Sequence, residues 1–364
     1  MHILRRYILR ELLGPCTMAF VIFTFVLVVG NLLKLADLLV NKGVPLYDVG
    51  RLFALLIPSL LSHTVPMAIL TGTLLAFGRL SSDQEITAMQ ASGVSLWSLA
   101  VPVAVAGVVA SLALVLINDR LVPQSHFATR KVLEEIGIRN PGAYIEPGTF
   151  VKEFKPYILF VYRMEGNQLH TVRIYEPMEG RPTRTILAER GEFIPLPDTK
   201  QVQFKLYQGT SDEPDLKDPT KLYKLEFASY AMTLTLGQGR DPKTLGKKPK
   251  DMTFIEIRRE MQALAAQGID PSPLEAEIHR RMATSWSALA FVLVGMPLAI
   301  RTRRAERSIG FAMSLVLILL YYLLLLGGQS LAVQGHLPAG PALWLPNAIL
   351  LAVGLGLLQR VAHR

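Results

Sequence analysis

Five long stretches of the chain carry no Asp, Glu, Lys or Arg, and charged segments separate them. They lie between Glu11 and Lys34, between Arg51 and Arg79, from Leu96 to Ile117, between Arg281 and Arg301, and from Ser308 to Gln359. An α-helix needs about 20 apolar residues to cross the hydrocarbon core of a membrane. The last stretch is long enough for two such helices, with QGHLPAGP at 334–341 as the turn. The pattern therefore predicts six membrane-spanning helices.

The segment 143–236, between the third and fourth predicted spans, alternates apolar and polar residues. Val202, Phe204 and Leu206 alternate with polar neighbours, as in half-buried short strands. Turns are expected at 165–167, 179–182, 195–198 and 209–214. Aromatic side chains at strand spacing are expected in the domain core: Phe160, Tyr162, Phe204 and Phe227. This spacing predicts an antiparallel β-sandwich or jellyroll domain inserted between helices 3 and 4.

Helical segments are expected on both sides of the β domain, at 123–137 and 253–266. A basic linker at 237–250 precedes the second of these, and a break at Pro271 and Pro273 leads to the fourth span. The predicted domains are residues 1–120 with helices 1–3, residues 121–272 with the β-jellyroll and its flanking helices, and residues 273–364 with helices 4–6.

Lys and Arg are concentrated at one set of span ends. These ends carry Arg5, Arg6, Arg10, Arg79, Arg301, Arg303, Arg304, Arg307, Arg360 and Arg364, whereas the opposite short ends carry Lys34, Lys42 and Arg51. Because basic residues accumulate on the cytoplasmic side, both termini are predicted to be cytoplasmic and the β domain to lie on the opposite side of the membrane. The net charge of +9 is then mostly a topology signal, and nucleic acid is not expected as a partner.

Composition and motifs argue against an enzyme. The chain is 51% hydrophobic and 18% charged, below the charge content of about 25% that is typical of soluble domains. No phosphate-binding loop, zinc-protease motif or nucleophile elbow occurs, and neither a metal nor a cofactor is expected. Because the spans lack mid-depth carboxylates, a proton- or sodium-coupled carrier is not favoured. The first apolar region is too long for a signal peptide and no A-x-A-like site follows it, which favours an uncleaved span.

The loop between the second and third spans reads GRLSSDQEITAMQASGVS at 78–95. An acidic short helix followed by M-Q-A-S-G closely resembles the coupling segment of the LptF/LptG family, the permease subunits of the lipopolysaccharide-export ABC transporter. Further similar stretches occur in order along the chain: MHILRRYILREL, LLKLADLL, VPMAILTGTLLAFGRL, NPGAYIEPGTF, ILAERGEF and AEIHRRMATSWSALAFVLVGMPLAI. Features of both the F-type and the G-type subunit are present, and the residues do not separate the two.

The resemblance implies a permease that extracts lipopolysaccharide from the inner membrane and passes it to a periplasmic bridge toward the outer membrane. ATP would be hydrolysed by a separate subunit, and this chain would be non-catalytic. The implied partners are a second LptF/LptG-type permease, a dimeric cytoplasmic ABC ATPase of the LptB type, a single-span bridge protein of the LptC type and a soluble jellyroll of the LptA type.

The resemblance assigns ATPase coupling to the loop helix, expected near 81–92. Glu85 matches the acidic residue of that helix, which in the family sits in a groove of the ATPase. Arg79 and Asp83 flank it, and a topological or solubilising role is an equal alternative for both.

The resemblance also suggests lipopolysaccharide-binding residues. Lys34, at the outer end of the first span, matches a basic position that faces lipid A phosphates, although a snorkelling anchor would look the same. Lys42 in the following loop and Arg130 beyond the third span complete the predicted set.

Two other functions stay open. An ABC-type mechanotransmission or scaffold subunit would move an outer domain without carrying lipid, but such proteins usually place that domain after the first span. A membrane-embedded lipid enzyme is the second alternative, and the sequence offers no catalytic cluster for it.

Overall fold

The computed structural model describes residues 2–40, 43–139, 148, 150–151, 157–165, 168–178, 181–196, 201–214, 222–235, 247–267, 270–302, 307–334 and 336–362. Within these residues, six helices are long and apolar enough to cross a membrane, which confirms the predicted number of spans. A six-stranded antiparallel sheet is inserted between the third and fourth of them. The predicted fold class is therefore confirmed.

The helices are longer than the apolar stretches that predict them. They are α1 (His2–Val40), α2 (Leu46–Ser82), α3 (Glu85–Ala91), α4 (Leu96–Leu116), α5 (Val122–Arg139), α6 (Phe254–Ala266), α7 (Ser272–Thr302), α8 (Arg307–Val333) and α9 (Ala339–Ala362). A π-helical turn at Ile117–Leu121 joins α4 to α5, and a 3-10 turn at Pro249–Asp251 precedes α6. As expected, α6 begins at the end of the basic linker, and Thr253 and Glu256 cap its first turn reciprocally.

The chain divides into two compact units. The first contains residues 1–31, 56–126 and 247–364, and is helical. The second contains residues 32–55 and 127–246, and includes the sheet.

Helix α7 lies at the centre of the helical unit. In its most apolar window 78% of the residues are buried, against 17 to 33% for the other five candidate spans. Its neighbours also hydrogen-bond to it: Asn118 Nδ2 donates to Ser285 Oγ over 2.9 Å, and Asn347 Nδ2 donates to the Ala283 carbonyl over 2.8 Å. Such bonds satisfy polar groups for which the hydrocarbon core offers no water.

Helices α1 and α2 approach closely where Gly72 faces Cys16. A Cβ added at Gly72 would lie 2.2 Å from Cys16 Sγ and 2.7 Å from Cys16 Cα. Only glycine permits this backbone approach, which is typical of small residues at membrane helix interfaces. The single cysteine of the chain is therefore part of a packed helix contact.

The sheet is a meander in which every strand pairs with its neighbour in sequence, in the order β1 to β6. The strands are β1 (Phe150–Val151), β2 (Ile158–Glu165), β3 (Gln168–Met178), β4 (Arg181–Leu196), β5 (Gln201–Pro214) and β6 (Leu222–Thr235). All pairs are antiparallel, consistent with a jellyroll-like domain. Four of the strands have 11 to 16 residues, so the expectation of short strands is wrong.

The turn predicted at 209–214 is also wrong, because β5 continues through it to Pro214. Gly209 signals close packing at this position: an added Cβ would lie 2.2 Å from the Leu187 carbonyl oxygen and 2.5 Å from the Phe227 ring. An isolated glycine in a strand often marks such an approach.

The core of the sheet includes one face of β2 and central residues of β4 and β5. Phe204 is fully buried and stacks on Phe193 with ring centroids 4.5 Å apart, as expected for a core residue. Tyr162, in contrast, is 71% exposed. Leu159 and Val161 face the core instead, so the prediction selected the wrong face of this strand.

Candidate functional site

The loop between α2 and α4 folds as the short helix α3. It begins at Glu85 and ends at Ala91, inside the region expected to hold a coupling helix. Gln84 precedes it with a left-handed φ of 59°, and Gly93 follows it with a φ of +88°. Ile86 is buried and anchors α3 to the core of the helical unit.

Glu85 is held by the first helix. The Tyr7 hydroxyl donates a hydrogen bond to Glu85 Oε2 over 2.7 Å, and both side chains are half-buried. The two residues are 78 positions apart in the chain, so this contact ties the start of α1 to the start of α3. Sequence reasoning missed Tyr7, which lies in the similar stretch MHILRRYILREL.

Beside the contact between α1 and α3, a second contact joins α1 to α2. Arg79 donates a hydrogen bond to the Glu11 carboxylate and lies 3.9 Å from Asp83 Oδ2. Tyr7 and Glu11 are four residues apart and therefore share one face of α1. We call Tyr7, Glu11, Arg79, Asp83 and Glu85 the coupling cluster. From the sequence, helical periodicity indicates that Tyr7 and Glu11 share one face of α1. It does not indicate that this face meets Arg79 and Glu85.

The ion pairs of this cluster are weak individually. The side chains of Arg79 and Asp83 are 44% and 53% exposed, and exposed ion pairs contribute about 0–1 kcal/mol. Together with the hydrogen bond of Tyr7, they orient α3 more than they stabilise the fold. The cluster is a charged surface at one end of the first two spans.

Lys34 and Arg130, two of the three residues predicted to bind lipopolysaccharide, belong to the unit that includes the sheet. Lys34 is exposed on α1, and within the described part of the chain it forms no ion pair. Arg130 is half-buried on α5. Lys42 lies outside the described residues. In the same unit Arg51 pairs with Glu135 over 3.3 Å, an ion pair that the sequence did not reveal.

These features define a multi-pass membrane protein with a β domain inserted at its midpoint and a helix in a charged loop. The sequence matches the family model for the lipopolysaccharide export system permease LptF/LptG over residues 6–360, and the chain belongs to this family. The predicted resemblance is thereby confirmed.

Relatives of both subunit types are similar over nearly the whole chain. Lipopolysaccharide export system permease protein LptF of Escherichia coli K12 is 24% identical, over 97% of this chain and 93% of its own length. Permease protein LptG of the same organism is also 24% identical, over 97% of this chain and 98% of its own length. A Rickettsia prowazekii protein, RP871, is 24% identical over 83% of this chain and 82% of its own length.

Proposed function

We propose that this chain is one of two permease subunits that extract lipopolysaccharide from the outer leaflet of the inner membrane. The observation that carries the proposal is the family match, which spans both sets of helices and the inserted sheet. Domain boundaries near residues 120 and 272 belong to the same proposal. The second subunit would be a related permease, and the two would enclose the lipid between their spans.

Energy would come from a dimeric cytoplasmic ATPase, which requires a rigid contact that transmits its closure. Glu85 in α3 would make this contact, with Arg79 and Asp83 beside it. The coupling cluster supports this role because Tyr7 joins α3 to α1 and Arg79 joins α2 to the same face of α1, so a displacement of α3 would pull on α1 and through it on α2. A free loop would absorb the same displacement.

The cytoplasm would then lie on the side of α3 and of both termini, and the sheet would be periplasmic. The extracted lipid would leave through this sheet to a single-span bridge protein and a soluble jellyroll. A sheet edge is a suitable template for such a handover because its backbone groups accept a further strand.

Lys34, Lys42 and Arg130 would contact the lipopolysaccharide, with Lys34 at the lipid A phosphates. The exposure of Lys34 supports this assignment, since an ammonium group that has no ion-pair partner among the described residues is available to an anion. The chain itself would catalyse no reaction.

The coupling assignment is tested by Glu85→Lys in the tagged full-length chain, purified from its native membrane. We expect loss of ATPase co-purification and of ATP-dependent lipopolysaccharide release. Glu260→Lys is the matched control, because Glu260 is exposed on α6 and outside the coupling cluster. If Glu85→Lys retains both the ATPase and lipid release, the coupling assignment is wrong.

A photocrosslinker at position 34 tests the lipid assignment. We expect crosslinks to lipopolysaccharide from position 34 and fewer from position 33, because Leu33 is 72% exposed but points to another side of α1. Equal crosslinking from both positions would indicate that Lys34 only anchors the helix at the membrane surface.

A further inference from the structure

A cavity of about 390 Å³ is lined by residues of four helices, α1, α2, α4 and α7. This volume is in the range of small-molecule sites. Its lining includes Leu9, Leu13, Cys16, Thr73, Ala106 and Val292. It lies on the face of α1 opposite to Tyr7 and Glu11, so it is separate from the coupling cluster.

The cavity suits an apolar ligand. Among its lining residues only Thr73 carries a hydroxyl, and that group already donates to the Ile69 carbonyl over 2.7 Å. A water molecule in the cavity would lack the two to four polar partners that buried water needs. An unbranched hydrocarbon chain would instead meet apolar side chains from four helices.

The ligand would enter from the lipid bilayer. Leu9 and Leu13, at the mouth of the cavity, are 37% and 62% exposed. Both belong to a helix long and apolar enough to span the membrane, and the other lining residues belong to this helix or to three further candidate spans. Leu13 lies in the uncharged stretch that predicts this span. The mouth therefore opens to hydrocarbon at Leu13, where a lipid acyl chain is the commonest occupant.

Two arginines lie next to the mouth, toward the start of α1. Arg5 precedes Leu9 by four residues, and Arg6 precedes it by three, so both flank the face that lines the cavity. Both are exposed, and neither has an ion-pair partner in the described part of the chain. Arg79, in contrast, is engaged with Glu11. The guanidinium groups are thus available to a phosphate, for which their fork geometry is well suited.

We propose that this cavity binds one acyl chain of an anionic glycerophospholipid, whose phosphate is held by Arg5 and Arg6. The bound lipid lies at the α3 end of the spans. It stays bound to the protein and is not transported. The charge of the arginines selects an anionic headgroup over a zwitterionic one. This site does not depend on the proposed transport function.

The test uses the full-length chain in lipid nanodiscs with phosphatidylglycerol or phosphatidylethanolamine that carries the same photoactivatable acyl chain. Crosslinked peptides are mapped by mass spectrometry. We expect several-fold more adducts from phosphatidylglycerol on peptides that contain residues 9–16 and 103–107. Arg5→Gln with Arg6→Gln should reduce this excess to the phosphatidylethanolamine level, whereas Arg360→Gln should leave it unchanged, because Arg360 is exposed on α9 and α9 contributes no residue to the cavity.

Ala106→Phe fills the cavity and should remove the adducts. Val105→Phe adds the same ring at a neighbouring position that is 57% exposed and outside the cavity, and should not. Labelling of exposed residues on α8 reports whether each variant is folded in the membrane. The proposal is overturned if both lipids label equally, or if Ala106→Phe retains the adducts. It is overturned too if labelling disappears in the complete complex, because a partner protein then occupies the cavity.

Discussion

The Tyr7 hydroxyl donates a hydrogen bond to the Glu85 carboxylate over 2.7 Å, and this bond holds the first helix against the helix of the charged loop. The phenol is a neutral donor, so this hydrogen bond brings no positive charge to the carboxylate and leaves it suited to a basic partner. The same bond removes the freedom of the side chain to rotate away. Glu85 is thus both oriented and charged at the surface proposed to contact the ATPase.

Tyr7→Phe removes this hydrogen bond with little change in volume. We expect a loss of about 1.5 kcal/mol in stability, at the low end for bonds to charged groups because the pair is only half-buried. Thermal unfolding of the purified chain measures it. Tyr47→Phe is the control, because Tyr47 is 78% exposed. Since Tyr7 acts through Glu85, the effects of Tyr7→Phe and Glu85→Gln should not add. Additive effects would show that the hydrogen bond does not form in solution.

Glu277→Gln should destabilise the chain far more. Arg281 is 3% exposed, and its Nε donates to Glu277 Oε1 over 2.8 Å. Loss of one partner from a buried ion pair costs about 3–5 kcal/mol, because the other charge stays buried. Expression yield and thermal unfolding should both fall. Glu275→Gln, on the same helix but with a side chain 46% exposed, should be close to wild type, and a similar loss there would contradict this explanation.

Gly72→Ala should separate α1 from α2. The added methyl would overlap both the sulfur and the Cα of Cys16, and overpacking of this kind costs about 1–3 kcal/mol. Because the Cα belongs to the backbone, Cys16→Ala should not rescue the variant. Gly14→Ala has no atom within 4 Å of its new methyl and should instead be neutral or slightly stabilising. The melting temperatures of Gly72→Ala, of Gly72→Ala combined with Cys16→Ala, and of Gly14→Ala provide the comparison. Rescue by Cys16→Ala would contradict the backbone overlap.

Phe204→Ala tests which face of the sheet is its core. Removal of this fully buried ring should cost about 3–5 kcal/mol. Tyr162→Ala should cost much less, because its ring is mostly exposed. Hydrogen exchange of the β4 and β5 amides in the full-length chain provides the comparison. Equal loss of protection in the two variants would contradict the assignment of the faces.

The start of α6 should be sensitive to acid. A hydrogen bond from Lys247 lowers the pKa of Glu256, and the bond from the Thr253 amide contributes in the same direction. Because the folded pKa is below the unfolded one, this stabilisation is complete above the ordinary pKa of glutamate, about 4.3. It is lost as the pH falls through the lower, folded value.

Hydrogen-exchange protection factors of amides 254–257, measured from neutral to acidic pH, should therefore decrease below about pH 4. Glu256→Gln should abolish that acid-dependent step. A step that persists in this variant would assign it to another group.

The spans could be predicted from sequence because a membrane imposes a strict rule. Every residue in hydrocarbon must be apolar or paired, so uncharged length alone identifies the helices. The sheet domain follows no such rule. Apolar side chains occur on both faces of β2, and period 2 alone cannot say whether Val161 or Tyr162 is buried. Likewise Gly209 suggests a turn, whereas tertiary packing against Phe227 is what requires it.

The coupling cluster shows a different limit. Glu85 was recognisable because its neighbours form a motif, but Tyr7 is 78 residues away and carries no motif of its own. Contacts between distant segments depend on how helices pack, and helical periodicity reveals only which residues share a face. Which faces pack against each other is seen only in the structure.

The sequential order of the strands has a consequence for biosynthesis. Every strand after β1 finds its partner in the strand made just before it, so no pairing has to wait for a later part of the polypeptide. Contacts this local favour rapid folding. The domain can grow by one hairpin at a time during translation, and be complete before the ribosome delivers the last three helices to the membrane.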